Sequence, residues 1–195
     1  MRSLFIGLST AALLIIISIV TEIKQERPIE ISYSRMIPTA RTQIDCLAEN
    51  IYYEAGNQGH DGQLAVALVT MNRVKHKFSN SICSVVKQRT DKVCQFSWKC
   101  EKHNRPDPGL YREVRDVALY TYLNYGMIDD ITEGATYYHA DYVNPEWHNL
   151  KKTTKIGQHI FYKPKREQRY DAKTKFDAGW WKSKTKFILT ADGRD

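Results

Sequence analysis

Three patterns of apolar and polar residues divide this chain. From 43 to 55, Ile44, Leu47, Ala48, Ile51 and Ala55 follow spacings of 3, 4, 7 and 11 from the first, which places them on one stripe of a helix. Thr42 stands where an N-cap is wanted, Asp45 lies near the positive helix end, and Gly56 is placed to terminate the helix. From 63 to 74, "QLAVALVTMNRV" is apolar on almost every face until Asn72. Such a segment is a central helix packed on several sides, and Ala65 and Ala67 allow close neighbours. A short helix is expected over "SICSVVKQ". A longer one spans 108–126, with Pro108 near its start, Leu110, Val114, Val117, Ala118 and Thr121 on one face, and Gly126 behind it. The rhythm then changes. "GATYYHADYV" and "KIGQHIFYK" are aromatic and β-branched with Gly and Pro at their borders, and read as strands or extended loops. The expected fold is a mainly helical α+β domain over about 42–163.

Outside that domain the pattern is different. Residues 4–20 are uncharged and mostly apolar, close to the lower length for a bilayer span. Arg2 precedes them and Glu22 follows, which keeps the positive end cytoplasmic and exports the rest. Residues 1–21 therefore read as a signal-anchor or signal peptide. Ser18 and Val20 make a poor cleavage signal, so the uncleaved anchor is preferred. Residues 22–41, polar with Pro28 and Pro38, read as a linker. Residues 164–195 form a basic extension bearing Phe176, Trp180, Trp181 and Phe187, suited to wall polymer or a membrane surface, or to packing on the domain.

Charge and cysteine content narrow the setting. The 195 residues carry a formal charge of +7. Nine Lys/Arg against five Asp/Glu in 164–195 put +4 of it in the extension. A basic surface favours anionic partners, and export makes these wall polymers, acidic glycan or lipid headgroups rather than nucleic acid. Four cysteines in an exported chain point to disulfides. Of three connectivities, Cys94–Cys100 with Cys46–Cys83 is preferred, because "CQFSWKC" closes a small loop.

Candidate chemistry begins at Glu54. At roughly 100° per residue it lies about 80° from Ile44, at the margin of the apolar stripe. A glutamate beside two tyrosines at a buried helix edge can be kept protonated by desolvation, as a glycosidic general acid requires. Gln95 offers an amide for N-acetyl or hydroxyl groups, and Phe96 a sugar-stacking face or core packing. Asn72 is either a sugar ligand or a cap for backbone groups. In "TYYHADYVNPEWHN", alternation puts Tyr138 opposite Tyr137 and His139, so that one face can line a glycan groove. His139, Asp141, His148 and His159 could be assembled as a zinc set, but no His-Glu-x-x-His or other tight ligand pair is present, and no metal or cofactor is expected.

Taken in order, "CLAENIYYEAG…GQLAVALVTMNRV", "SICSVV", "CQFSW", "ATYYHADYVNPEW" and "IGQHIFYK" resemble the cell-wall hydrolase family of spore cortex-lytic enzymes (the SleB type), over about residues 44–163. The resemblance implies a lysozyme-like, transglycosylase-like fold acting on peptidoglycan glycan chains. It makes Glu54 the single catalytic glutamate and implies a lytic transglycosylase. The family pattern continues Glu-Ala-Arg-Gly-Glu, whereas this chain has "EAGNQ", so Gln58 stands in place of a second acid. A distant second carboxylate such as Asp141 would instead make a hydrolase. Two further readings stay open: a wall-binding module without catalysis, and a zinc-dependent wall amidase. The protein is expected to be a monomer, exported and either anchored in the inner membrane or free in the periplasm or wall.

Overall fold

The computed structural model describes residues 32–91 and 93–165. The apolar segment 4–20 and nearly all of the basic extension lie outside them. Among the described residues no helix is long and apolar enough to cross a membrane.

Among the described residues, four α-helices and a three-stranded sheet make up the fold: α1 (Pro38–Ala55), α2 (His60–Lys75), α3 (Ile82–Val86), α4 (Pro108–Asn124), β1 (Tyr137–Ala140), β2 (Leu150–Ile156) and β3 (His159–Pro164). The architecture is α+β and mainly helical, as the sequence pattern implies. Helix α1 begins earlier than its apolar stripe suggests. Pro38 occupies its first turn, where a missing N–H costs nothing. Thr42 is therefore not an N-cap: it lies inside the helix, and its hydroxyl donates to Pro38 O at 3.0 Å. Nor is Asp45 near the helix start. Its carboxylate accepts twice from Tyr33 Oη, at 2.6 and 2.7 Å. That contact straps a 3-10 turn, Tyr33–Arg35, to the middle of α1. The Arg115 guanidinium lies 4.4 Å from the centre of the Tyr33 ring. Residues 33–41, expected as linker, thus belong to the folded unit.

Helix α1 buries the stripe read from the sequence: Ile44, Leu47, Ala48, Ile51 and Ala55 are fully buried. It ends at Gly56, but not through a left-handed residue. Gly56 keeps helical angles and its N–H still donates to Tyr52 O. Glycine is needed because a Cβ there would run into that same carbonyl oxygen. Helix α2 is the centre of the domain and packs against α1, α3 and α4. Ala65 and Val69 turn from it to the sheet, meeting Ala135 and Phe161 in a fully buried cluster. Helix α4 starts from Asp107, whose carboxylate accepts from Leu110 N at 2.8 Å. Of the face read from the sequence it buries Val114, Val117, Ala118 and Thr121 and leaves Leu110 half-buried.

The sheet is antiparallel in the order β1-β3-β2. The segment "KIGQHIFYK" is not one strand. It folds back at Gly157 and Gln158, with Gly157 at φ 55°, a conformation that suits glycine in a tight hairpin. Most of β2, Leu150–Thr154, escapes the sequence reading. It is an edge strand whose Lys151, Lys152 and Lys155 are exposed, so it carries no apolar alternation, and charge on a free edge opposes pairing with other chains.

Both preferred disulfides are present. Cys46–Cys83 ties α1 to α3, and Cys94–Cys100 closes the small loop around Trp98. The first encloses a separation of 37 residues. Loop-closure entropy over that length corresponds to about 4 kcal/mol. Replacing Cys46 and Cys83 together by alanine is expected to lower stability by roughly 3–4 kcal/mol, measured as the change in urea-unfolding free energy. The smaller loop should matter less in the same assay.

Candidate active site

Glu54 stands in the last turn of α1 and is half-buried. Its Oε2 accepts a hydrogen bond from Tyr138 Oη at 2.9 Å. This joins the end of α1 to β1, whose partner β3 sets Tyr138 opposite Phe161. Loss of solvent pushes the carboxyl of Glu54 up from its ordinary range. The Tyr138 hydrogen bond and the charge of Arg73 pull it partly back, and Glu101 pushes it up again. Burial also raises the Tyr138 hydroxyl well above the usual phenol range, so it remains a donor.

The tyrosines flanking Glu54 in sequence serve other contacts. Tyr52 leans against Tyr111, and its hydroxyl accepts from Asp107 N at 2.8 Å. Tyr53 stacks on Trp98 with ring centres 4.5 Å apart, and His103 lies tilted on its ring at 4.6 Å. Trp98 is core. It is buried, and its indole N–H donates to Asn50 Oδ1, while Asn50 Nδ2 donates to Thr70 Oγ1 at the heart of the helical layer.

The other residues singled out in the sequence fall in separate places. Asn72 is buried and fully engaged within the protein. Its Nδ2 donates to Asp130 Oδ2 at 2.8 Å and Ala135 O at 3.0 Å, and its Oδ1 accepts from Tyr125 Oη at 2.7 Å. It anchors the turn that leads into β1, which leaves no group for a sugar. Phe96 is buried under the guanidinium of Arg73, 5.1 Å from the ring centre, so that face is taken as well. Gln95 is exposed.

His139 points away from Tyr138, as strand alternation requires. It stacks on Tyr162 at 5.2 Å and shares a 3.0 Å hydrogen bond with the Tyr162 hydroxyl; Trp147 meets both rings edge-on. Tyr138 and His139 therefore cannot line one face. Asp141 is engaged by Lys155 at 2.9 Å, and that bond holds its carboxyl below the usual range. It is not among the groups whose charge acts on Glu54. Among the described residues no three His, Cys, Asp or Glu side chains are grouped as a metal-ligand set.

Gln58 has a structural use that explains an amide there. Its Nε2 donates to Gln158 Oε1 at 2.9 Å, and its Oε1 accepts from Gln158 N at 3.1 Å. A carboxylate has acceptors only and could not make the first bond. Gly157 allows the close approach, since a Cβ there would sit 2.5 Å from Gln58 Oε1. The loop after α1 is thus clasped to the β2–β3 turn. An open surface hollow beside it is lined by Gln58, His60, Gln63, Glu113, Asp116 and Tyr120, and Glu54 is not part of it.

Two residues that act on Glu54 were not singled out in the sequence. Arg73 follows Asn72 in "TMNRV", and a charge at the end of an otherwise apolar helix is the signal that could have marked it. Glu101 follows Cys100 in a polar stretch with nothing to distinguish it.

The profile of the family described as Cell Wall Hydrolase matches residues 57–162, more than half of the chain. The match begins three residues after Glu54. No curated protein matches significantly. Two solved structures are similar. One is the catalytic domain of the Bacillus cereus SleB protein, with 24% identity over 72% of this chain and 98% of that chain, at a TM-score of 0.45. The other is the catalytic domain of a germination-specific lytic transglycosylase, SleB, from Bacillus anthracis, with 25% identity over 70% of this chain and 100% of that chain, also at 0.45.

The environment of Glu54 has a consequence for stability. A carboxyl raised in the folded state contributes most below the unfolded value near 4.5, and that contribution is lost as pH rises through the raised value. Glu54→Gln should therefore raise Tm relative to wild type at pH 8 by a few degrees, with the difference vanishing near pH 4. Paired thermal-unfolding scans at the two pH values check this.

Proposed function

Because the chain belongs to the cell wall hydrolase family, we propose that it degrades peptidoglycan by cleaving the glycan strand between N-acetylmuramic acid and N-acetylglucosamine, as a lytic transglycosylase with Glu54 as its acid and base. The observation that carries this reading is the half-buried Glu54 carboxyl, raised by desolvation and oriented by the Tyr138 hydroxyl. A general acid must hold a proton near neutral pH and present it in one direction. Tyr138 donates to Oε2, so the acidic proton resides on Oε1 and faces away from the tyrosine.

In the first half of the reaction, Glu54 Oε1–H gives its proton to the glycosidic oxygen. The bond from that oxygen to the muramic anomeric carbon breaks, and N-acetylglucosamine leaves as an alcohol. In the second half, the Glu54 carboxylate takes the proton from the muramic 6-hydroxyl while that oxygen bonds to the anomeric carbon. A 1,6-anhydro end results, Glu54 is protonated again, and no water is consumed. One carboxyl suffices because it acts in both halves. The engagement of Asp141 by Lys155 and the clasp made by Gln58 agree with a single-acid mechanism.

A second reading has one observation in its favour. Glu101 is exposed and acts on Glu54, which makes it a candidate second carboxylate if the enzyme hydrolyses the bond instead.

The test is mass spectrometry of peptidoglycan digested by the full-length chain and by its Glu54→Gln variant. Anhydro-muropeptides support the transglycosylase, and reducing muramic ends support hydrolysis. The variant is expected to lose activity by about 10²–10⁴-fold, while still sedimenting with insoluble peptidoglycan. Full activity in the variant would remove Glu54 from its role. Binding without products from the wild-type chain would leave a wall-binding module, and free amino ends lost on chelation would point to an amidase.

A further inference from the structure

Among the described residues Arg73 is the one strongly basic group that acts on Glu54, and its surroundings are unusual. It is 4% exposed, at the C-terminal end of α2. Its Nε donates to Thr136 O at 2.7 Å. Its guanidinium lies over Phe96 at 5.1 Å and near Tyr137 at 6.0 Å. Its Nη1 is buried with no hydrogen-bond partner. Among the described residues it forms no ion pair, although a carboxylate stands within reach of its field.

A buried cation left short of a nearby carboxyl needs a reason, because unpaired buried charge is costly. Direct pairing would stabilise the Glu54 anion outright and leave no proton to donate. The bond to Thr136 O and the aromatic faces of Phe96 and Tyr137 hold the guanidinium where it is. From there it favours the anion at a distance, with a spare donor in Nη1.

The geometry points to Arg73 as a positioning residue: a cation tied to Thr136, two residues before the Tyr138 that reaches Glu54, yet not paired with Glu54, so that the acid keeps its proton at rest and its anion is stabilised once the proton has left. This inference rests on Glu54 being the acid. The groups that act on Glu54 from the elements around it are Tyr138 on β1, Arg73 on α2 and Glu101 after the 3-10 turn at Ser97–Cys100. Tyr138 is a phenol and Glu101 an acid, so Arg73 is the basic group among them.

The test compares pH–rate profiles for solubilisation of insoluble peptidoglycan by the full-length wild-type chain and by its Arg73→Met and Arg73→Gln variants. The alkaline limb reports loss of the acid's proton, and the same substrate in every assay cancels its own titration. Removing the cation makes the proton harder to lose. The limb should then move to higher pH by about 1 unit, as expected for loss of one nearby opposite charge, and the plateau rate should fall about tenfold or more because the anion is no longer stabilised. Arg73→Lys, which keeps the charge, should recover part of the rate.

A merely structural role would lower Tm and leave the limb in place. An unmoved limb in a folded neutral variant therefore overturns the proposal. So does failure of both neutral variants to fold when Glu54→Gln folds, since the charge would then be a requirement of the core. Activity surviving in Glu54→Gln would instead overturn the underlying reading, whatever the Arg73 variants do.

Discussion

Helix α2 is buried on almost every side, so the polar groups it carries must find their partners inside the protein. That constraint organises the domain. Thr70 takes a hydrogen bond from Asn50 on α1, which in turn holds the indole of Trp98 and so the small disulfide loop. Asn72 gathers Tyr125 from behind α4 and the turn at 130–135. Arg73 takes the carbonyl of Thr136, the residue just before β1. Three polar side chains within four positions thus connect the helical layer to the disulfide loop, the turn and the sheet. Each bond adds only about 1 kcal/mol net, but leaving any of these groups unmet costs more, and this makes the arrangement specific.

The site follows from the same constraint. Anchoring the chain at Asn72 and Arg73 sets where β1 begins, and strand alternation then decides which residue faces Glu54. Tyr138 reaches the carboxyl; Tyr137 and His139, on the other face of the strand, both meet Trp147, and His139 also stacks on Tyr162. Phe161, directly opposite Tyr138 in the register, fills the core behind it and keeps the tyrosine from retreating. The carboxyl therefore loses solvent on one side and gains a single directed donor. An acid with one hydrogen bond and no ion pair is suited to holding a proton and releasing it.

The hairpin completes the frame. Gln58 and Gln158 exchange two hydrogen bonds across 100 positions of sequence, over a glycine that allows them to meet. The position that carries a carboxylate in the family pattern is used here as a clasp. An amide suits it because it both donates and accepts.

The long periodic segments were legible in the sequence by themselves. The stripe of α1, the all-round apolar character of α2 and the face of α4 each arise from local spacing, and burial follows spacing when a helix has one place to pack. The margin position of Glu54 came from the same periodicity, and the small loop closed by Cys94 and Cys100 from its length. What depended on distant partners was not legible. Tyr33 straps the turn before α1 onto Asp45, an interaction that no local pattern encodes. β2 is a polar edge strand and forms only because β3 offers it a ladder. Asn72 and Phe96 look like candidate ligands or ordinary core when read singly, and Arg73 like a charge at a helix end. Tertiary packing alone assigns the first to a turn, the second to a cation and the third to the neighbourhood of Glu54, because hydrogen bonds and fields act across space, whereas periodicity records only which face of its own element a residue occupies.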